Sequence, residues 1–332
     1  MSGRSVPVVT PPHVVRVLGG TLMFAMLVAA FTSPSAPARA QESEPVKVVA
    51  TFSILADWVQ NVGGENIELT TIVPAGGDAH TFDPSPEQVA SIADADVIFE
   101  IGLGFESWLD DMVDASGSTA ERVAVSDGIE LLEGEESGDH EGDEHADEGG
   151  EHGESDPHIW GDAANAISAV GVVNTHLNEV DEANAATYDA NASAYMSQLE
   201  DLDASIVTAT QAIPKDGRKL VTTHDTFGYY AHAYGFEVVG TALNSLSTEG
   251  GDPPASEIAA LVGQIQDEGV PAIFAENVSN NDLMQTIADE AGVTLAPPLY
   301  TDALGEPGSE GETYIAMMSY NTDTIVTALG GQ

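Results

Sequence analysis

The 332 residues are 42% apolar and carry eight Lys and Arg against 55 Asp and Glu, a formal net charge of −47. A chain of this length can bury one large core or two ordinary ones, and its apolar share argues for folded rather than disordered protein. So acidic a surface repels nucleic acid and anionic membranes and draws cations. It reads either as a field that collects metal ions or as adaptation to a saline medium that screens carboxylates, and the spread of acids along the whole chain favours the second. The absence of cysteine excludes disulfides, a thiolate nucleophile, Cys-based zinc or iron–sulfur sites and a lipid carried on an N-terminal cysteine.

Residues 1–40 read as a secretion leader. Arg4 and Arg16 precede the apolar stretch Val17 to Phe31, and Ala38-Arg39-Ala40 offers a cleavage site before Gln41. The apolar part is short for a membrane span, and an uncleaved anchor is the alternative. The expected location is extracytoplasmic, periplasmic or at the cell surface, without a cysteine-borne lipid.

Strands and helices then alternate. Val46 to Thr51 is a β-branched run and a first strand, Ile54 to Val62 has helical spacing and stops at Gly63-Gly64, and Ile67 to Val73 is a second strand. Ser85-Pro86-Glu87-Gln88 opens a helix, with Ser85 as cap, Pro86 in the first turn and Gln88 closing a capping box. Val97 to Ile101 is a third strand, Glu106 to Val113 a helix and Arg122 to Val125 a weaker fourth strand. This alternation predicts a parallel sheet with helices on both faces, and ligands then bind beyond the carboxyl ends of the strands.

Residues 133–156 are a low-complexity acidic insertion containing His140, His145 and His152. It reads as a weak metal-collecting loop or as a solvated acidic insertion. A helical pattern returns from Asp162 to Asn178. From 181 to 213 the chain is Ala-rich, and its apolar positions (Tyr188, Ala192, Tyr195, Leu199, Leu202, Ile206) step by three and four. This is expected to be a long linking helix between an N-terminal lobe over 46–180 and a C-terminal lobe over 214–332. The second half repeats the α/β plan, with strands at Lys219 to Thr223, Phe236 to Val239, Pro271 to Ala275 and Val293 to Ala296. Helices lie between them, and a last one spans Met317 to Leu329.

Three histidines sit in Gly/Pro-punctuated places: His80 in Gly76-Gly77-Asp78-Ala79-His80, His158 in Asp156-Pro157-His158-Ile159-Trp160, and His224 directly after a strand. Asp302 follows the last strand. If the halves face each other, three imidazoles and a carboxylate converge as an N3O set suited to Zn2+; imidazole-rich sites also take Cu2+, Ni2+ or Fe, and more carboxylate favours Mn2+. Each residue also has a plainer reading, as a loop histidine or a turn-capping aspartate. Glu276, past the strand at Ile273-Phe274, is a further oxygen candidate that reads rather as a supporting or turn residue, and Asp225 and Asp83 either orient ligand imidazoles or cap helices. His176 and His232 lie on helices and read as structural.

At these residues the chain resembles the metal-binding receptors of bacterial ABC importers for zinc, manganese and iron. The stretches that carry the resemblance are GGDAHTFDPSP (76–86), DPHIW (156–160), TTHDTFGYYAHAYGF (222–236) and PLYTDALGEPGSEGETYIAMMSYNTDTIV (298–326). The resemblance runs from about Val46 to the C-terminus. It implies two α/β lobes, each a parallel sheet flanked by helices, joined by one rigid helix, with the ion between them on His80, His158, His224 and Asp302. Histidine at the third position and the acidic insertion resemble the zinc group, so Zn2+ is the expected cargo, with Mn2+ or Fe2+ as the alternative. The implied partner is an ABC permease, and the receptor is expected to be a monomer. Gly161-Asp162 departs from the family pattern, which has an apolar residue before the aspartate. A zinc hydrolase and a metal-dependent surface adhesin are the rivals from other classes; a hydrolase would need an open coordination position with a base beside it, and no HExxH is present.

Overall fold

The computed structural model describes residues 44–133, 155–243, 245–249 and 253–330. Strand β1 (Val46–Phe52) is the axis of the N-terminal half. All but one of its residues are buried, the signature of a strand covered on both faces. It turns directly into α1 (Ser53–Gly63), which ends at Gly64 with φ +58°. Then come β2 (Ile67–Val73), α2 (Pro86–Ser91), β3 (Val97–Glu100), α3 (Leu109–Ser116) and β4 (Glu121–Ala124). The four strands form one parallel sheet in the order β2-β1-β3-β4, with Val48 paired to both Leu69 and Val97. The capping box at Ser85 has both arms: Gln88 N–H donates to Ser85 Oγ, and Ser85 N–H donates to Gln88 Oε1.

Next are α4 (Ala163–Val180) and the long α5 (Ala185–Thr210). In the C-terminal half β5 (Lys219–Thr222) leads through α6 (Gly228–Tyr234) to a parallel partner, β6 (Glu237–Thr241). Helix α7 (Ala255–Glu268) leads to β7 (Ala272–Glu276), and α8 (Asp282–Ala291) to β8 (Thr294–Leu299), parallel to β7. β5 lies beside β7, and α9 (Tyr314–Ala328) closes the chain. The α/β class with parallel strands flanked by helices is as the sequence predicts.

Several boundaries differ from the expectation, each for a local reason. The helix expected from Glu106 starts at Leu109, because the Glu106 carboxylate turns inward onto the backbone of Ile101 and Gly102. The last strand continues through Pro297 and Pro298, whose rings are exposed; an exposed edge tolerates residues that have no N–H to give. Helix α5 begins after a turn in which Asp181 accepts hydrogen bonds from Asn184 Nδ2 and the Tyr188 hydroxyl. Gly161 has a packing role: a Cβ there would come within 3.1 Å of the Tyr230 backbone nitrogen, so glycine lets the turn after His158 lie close against α6. The residue after it, Asp162, caps α4 by accepting from Ala164 N–H at 2.8 Å.

One principal core runs through both halves. It takes in Phe52 and Trp58 from the first, Tyr188 and Leu199 from α5, and Phe274 and Tyr314 from the second. A smaller cluster lies among β7, α7 and α8, with Ile265, Ile273 and Ile287. Polar bonds tie α5 into this core. Tyr195 donates its hydroxyl to Asp57 Oδ2 at 2.9 Å, and the same oxygen receives the N–H of Tyr314, first residue of α9, at 3.3 Å. Burial pushes the Asp57 carboxyl up, and these two donors work against it. Tyr195→Phe therefore leaves a buried carboxylate short of a donor, and a loss of about 1–3 kcal/mol is expected. Urea unfolding reads it; an unchanged midpoint would mean that this bond does not help hold α5 in place.

Candidate metal site

His80, His224 and Asp302 sit beyond the carboxyl ends of β2, β5 and β8, and His158 lies on a turn just before the short helix that leads into α4. His80 lies on the loop after β2. Gly76, at φ +71°, turns that loop and donates its N–H to Leu304 O at 2.9 Å in the other half. Asp78 Oδ1 then accepts the His80 N–H at 2.9 Å, and Trp108 Nε1 donates to Ala79 O at 2.8 Å. The turn at His158 has the same form, for Asp156 Oδ1 accepts the His158 N–H at 2.9 Å. Here the same oxygen also meets the ring Nδ1, at 2.7 Å.

His224 follows β5, and its partner comes from the end of β7. Glu276 Oε1 accepts the N–H groups of Thr223 (2.9 Å) and His224 (3.0 Å), while Oε2 lies 2.6 Å from His224 Nδ1. Asp302, just past β8, is held through Oδ1 by the Thr226 hydroxyl at 3.3 Å.

With Nδ1 of His158 and His224 taken by carboxylates, their Nε2 atoms face inward. His80 Nε2 is 3.3 Å from His158 Nε2 and 3.7 Å from Asp302 Oδ2; His158 Nε2 is 3.8 Å from Asp302 Oδ1; His224 Nε2 is 3.1 Å from Asp302 Oδ2. One ligand atom from each residue lies within 4.8 Å of all the others. Ligands at ~2.0–2.1 Å around a tetrahedral ion stand ~3.4 Å from one another, which is the scale of these separations. His158, His224 and Asp302 are fully buried and His80 is 6% exposed. His224 Nε2 and Asp302 Oδ2 are buried and lie 3.1 Å apart as an ion pair, but they are not aligned as a hydrogen bond, and neither has a hydrogen-bond partner. A cation between them would satisfy both.

The electrostatics follow from this packing. Burial pushes His80 down to about 4, with His158 and His224 adding to the effect and Asp302 opposing it. At His224 burial also favours the neutral ring, but the carboxylates of Glu276 and Asp302 outweigh it and hold the imidazole well above its usual range. Asp302 lies well below the carboxylate range, since the three imidazoles overcome its burial. Around the polar centre the walls are aromatic: the Phe105 ring lies 4.7 Å from that of His80 and Trp160 lies 5.2 Å from His158, centroid to centroid. A cleft of about 280 Å³, lined by His80, Leu103, Gly104, Phe105, Pro157 and Glu249 among others, leads in from solvent.

The four residues singled out in the sequence are thus brought together. The supporting groups differ from the expectation. Glu276 is the last residue of β7 rather than a residue beyond it, and it occupies the Nδ1 of His224 for which Asp225 was a candidate. Asp225 is half-buried, and its N–H binds Ser245 O at 2.8 Å. Asp83 is exposed. Asp156 was overlooked as an orienting group, although its signal was legible: Asp-x-His occurs at both 78–80 and 156–158. His140, His145 and His152 lie outside the described residues, as does the leader. No helix of the described residues is long and apolar enough to cross a membrane.

A fold of two parallel α/β halves around a buried, inward-facing N3O cluster defines a metal-capturing receptor. Residues 48–328 match the family described as "ZnuA: Zinc-uptake complex component A periplasmic", and the chain belongs to that family. It is 36% identical over 309 residues to the "Manganese-binding lipoprotein MntA" of Halalkalibacterium halodurans, covering 93% of this chain and 96% of the relative. It is 32% identical over 321 residues to the "Iron ABC transporter substrate-binding lipoprotein MtsA" of Streptococcus pyogenes serotype M1, covering 94% and 97%. Among solved structures it is similar to the periplasmic zinc-binding protein TroA of Treponema pallidum, with a TM-score of 0.76 and 29% identity over 86% of this chain and 99% of that one.

The chain is therefore the extracytoplasmic substrate-binding component of an ABC importer for a divalent metal, with a permease as its partner, and it is not an enzyme. The hydrolase reading falls with that assignment. The relatives are named as lipoproteins, which runs against the expectation of a receptor without a cysteine-borne lipid.

The raised His224 has a measurable consequence in the metal-free protein. The folded state keeps this proton to a higher pH than the unfolded chain, whose imidazole titrates near ~6.5. The stability it contributes is full below that value and is lost as pH rises through the folded value. Urea unfolding of metal-free protein is expected to show lower stability near pH 9 than near pH 6. Glu276→Gln removes one of the two carboxylates that hold the proton, so it should shrink the difference. An equal or larger difference in that variant would contradict the assignment to His224.

Proposed function

We propose that the receptor captures Zn2+ on His80, His158, His224 and Asp302, between its N-terminal and C-terminal halves, and passes it to the permease. The observation that carries this reading is the pair of buried atoms without a hydrogen-bond partner, His224 Nε2 and Asp302 Oδ2, inside a cluster of four inward-facing donors. Three imidazoles and one carboxylate are a donor set of borderline softness that suits zinc. No position in such a shell is left for a reacting water, in keeping with capture rather than chemistry. The zinc-binding TroA, with the same fold at 29% identity, supports the choice.

A second reading, Mn2+ or Fe2+ as cargo, is favoured by the names of the relatives at 36% and 32% identity. Binding at the same four residues would be the same, and the ion would differ. The receptor acts as a monomer in either case, the two halves tilting modestly about a shared core rather than swinging wide. Export ends with cleavage before Gln41, so the intact mass of exported protein should correspond to a chain starting there. A mass retaining residues 1–40 would make the leader an anchor instead.

Binding requires neutral imidazoles, and His224 must give up a proton that its carboxylate neighbours favour. Zinc uptake is thus expected to release protons, and affinity should fall about tenfold or more between pH 7.5 and pH 5.5. Elemental analysis of protein purified without added metal, followed by calorimetry with Zn2+ and Mn2+, tests the assignment. One zinc per chain is expected, with His224→Ala losing about a hundredfold or more in affinity. Stoichiometric manganese that zinc does not displace would give the site to manganese.

A further inference from the structure

Two of the three imidazoles are aimed by a carboxylate on Nδ1, Asp156 for His158 and Glu276 for His224. His80, the one that lines the entry cleft, is gripped by segment 101–108 between β3 and α3. The Phe105 ring stands edge-on to the His80 ring, with centroids 4.7 Å apart and planes at 81°. Three residues further on, Trp108 Nε1 holds the carbonyl of Ala79, the residue before His80, at 2.8 Å. The segment therefore fixes both the ring and the backbone of this ligand.

What fixes the segment is Glu106. Its Oε1 accepts the Thr51 hydroxyl of β1 at 2.7 Å and the Ile101 N–H at 2.8 Å, and its Oε2 accepts the Gly102 N–H at 3.1 Å. The loop that it closes would not hold this shape unaided. Gly102, Leu103 and Gly104 follow one another at φ +78°, +58° and +81°, and Leu103 is the only non-glycine at positive φ among the described residues. A branched side chain in the left-handed region persists only where its surroundings over-determine it. The buried carboxylate, with three donors from β1 and the loop, does that here. Phe105 is further wedged between Phe52 and Trp160, with centroids 5.1 and 5.0 Å away.

We propose that Glu106 is a positioning residue for metal capture: by pinning the left-handed 102–104 turn to β1 it sets Phe105 and Trp108 against His80, and so aims the entry-side imidazole at the ion. This rests on the reading of His80 as a ligand. It makes Glu106 the N-terminal half's counterpart of Glu276, one layer further from the ion. In both cases a carboxylate past or at the end of a central strand gathers backbone N–H groups and thereby orders a ligand.

Burial pushes the Glu106 carboxyl up to about 7, so binding is measured near pH 8, where it is an ionised acceptor. Glu106→Ala, His80→Ala and the double variant are titrated with Zn2+ against a chromophoric chelator, and Co2+ is loaded to report coordination geometry by its visible absorption. Glu106→Ala is expected to weaken zinc binding about 10–100-fold, chiefly through faster release, and to shift the Co2+ bands. In the His80→Ala background it should change affinity less than about threefold, because its effect passes through that ring. Glu106→Gln should fall between, since its amide oxygen can still accept from Thr51 and Ile101 while its NH2 meets the Gly102 N–H.

Full multiplication of the two losses would overturn the proposal, as would a Co2+ spectrum and zinc affinity unchanged from wild type in a merely less stable protein. If Glu106→Ala does not fold, Phe105→Leu takes its place with the same expected loss and the same non-additivity with His80→Ala. Wild-type affinity in His80→Ala alone would instead bring down the ligand assignment, and this inference with it.

Discussion

Everything in the centre of this protein answers to one constraint, the cost of keeping Asp302 ionised where water cannot reach it. A buried carboxylate without compensation is among the most unfavourable groups that a fold can hold. Here the compensation is a ring of three imidazoles, of which His224 carries the larger share at 3.1 Å. His224 can hold a proton in that place only because Glu276 stands on its far side with its own pair of backbone donors. The arrangement is self-consistent without an ion, yet it leaves two buried atoms without a hydrogen-bond partner. On the proposed reading a divalent cation would replace the proton and complete the set, and capture would be coupled to proton release by the same charges that make the site stable when empty.

Such a site must be assembled from both halves and still let go of its cargo. The halves meet through short polar ties close to the ligands. Leu304 N–H donates to Ser53 Oγ at 2.9 Å, Gly76 N–H donates to Leu304 O, and the Thr248 hydroxyl donates to Asp78 Oδ2 at 2.6 Å. Asp78 is the residue that also holds the His80 N–H. A small relative movement of the halves would therefore act directly on the His80 loop. The continuous core through α5 argues against larger excursions, since opening it would expose Tyr188, Leu199 and Tyr314 together.

Much of this was legible in the chain because its signals are local. The capping box at Ser85, the turn at Gly63-Gly64 and the β-branched run of β1 each follow from a few adjacent residues. The four candidate ligands stood out for the same reason, each in a Gly/Pro-punctuated turn or just past a strand. The errors arose where a distant partner overrides local preference. Glu106 resembles the start of a helix until Thr51 and the backbone of Ile101 and Gly102 are placed around it. Pro297 and Pro298 look like the end of a strand until β8 proves to be an edge with its proline rings outward. Asp225, adjacent to His224, was a natural candidate to orient it, but the group that does so comes from another strand.

Primary structure alone determined the strand–helix alternation, the exclusion of thiolate chemistry and the identity of three imidazoles and a carboxylate as candidate ligands, because composition, periodicity and turn residues are properties of neighbours in the chain. Only the packed molecule decided which nitrogen of each ring faces inward, which carboxylate stands behind His224, and how segment 101–108 closes on His80. Those are matters of distance between groups tens or hundreds of residues apart, and burial, which sets their charge, exists only once the two halves have come together.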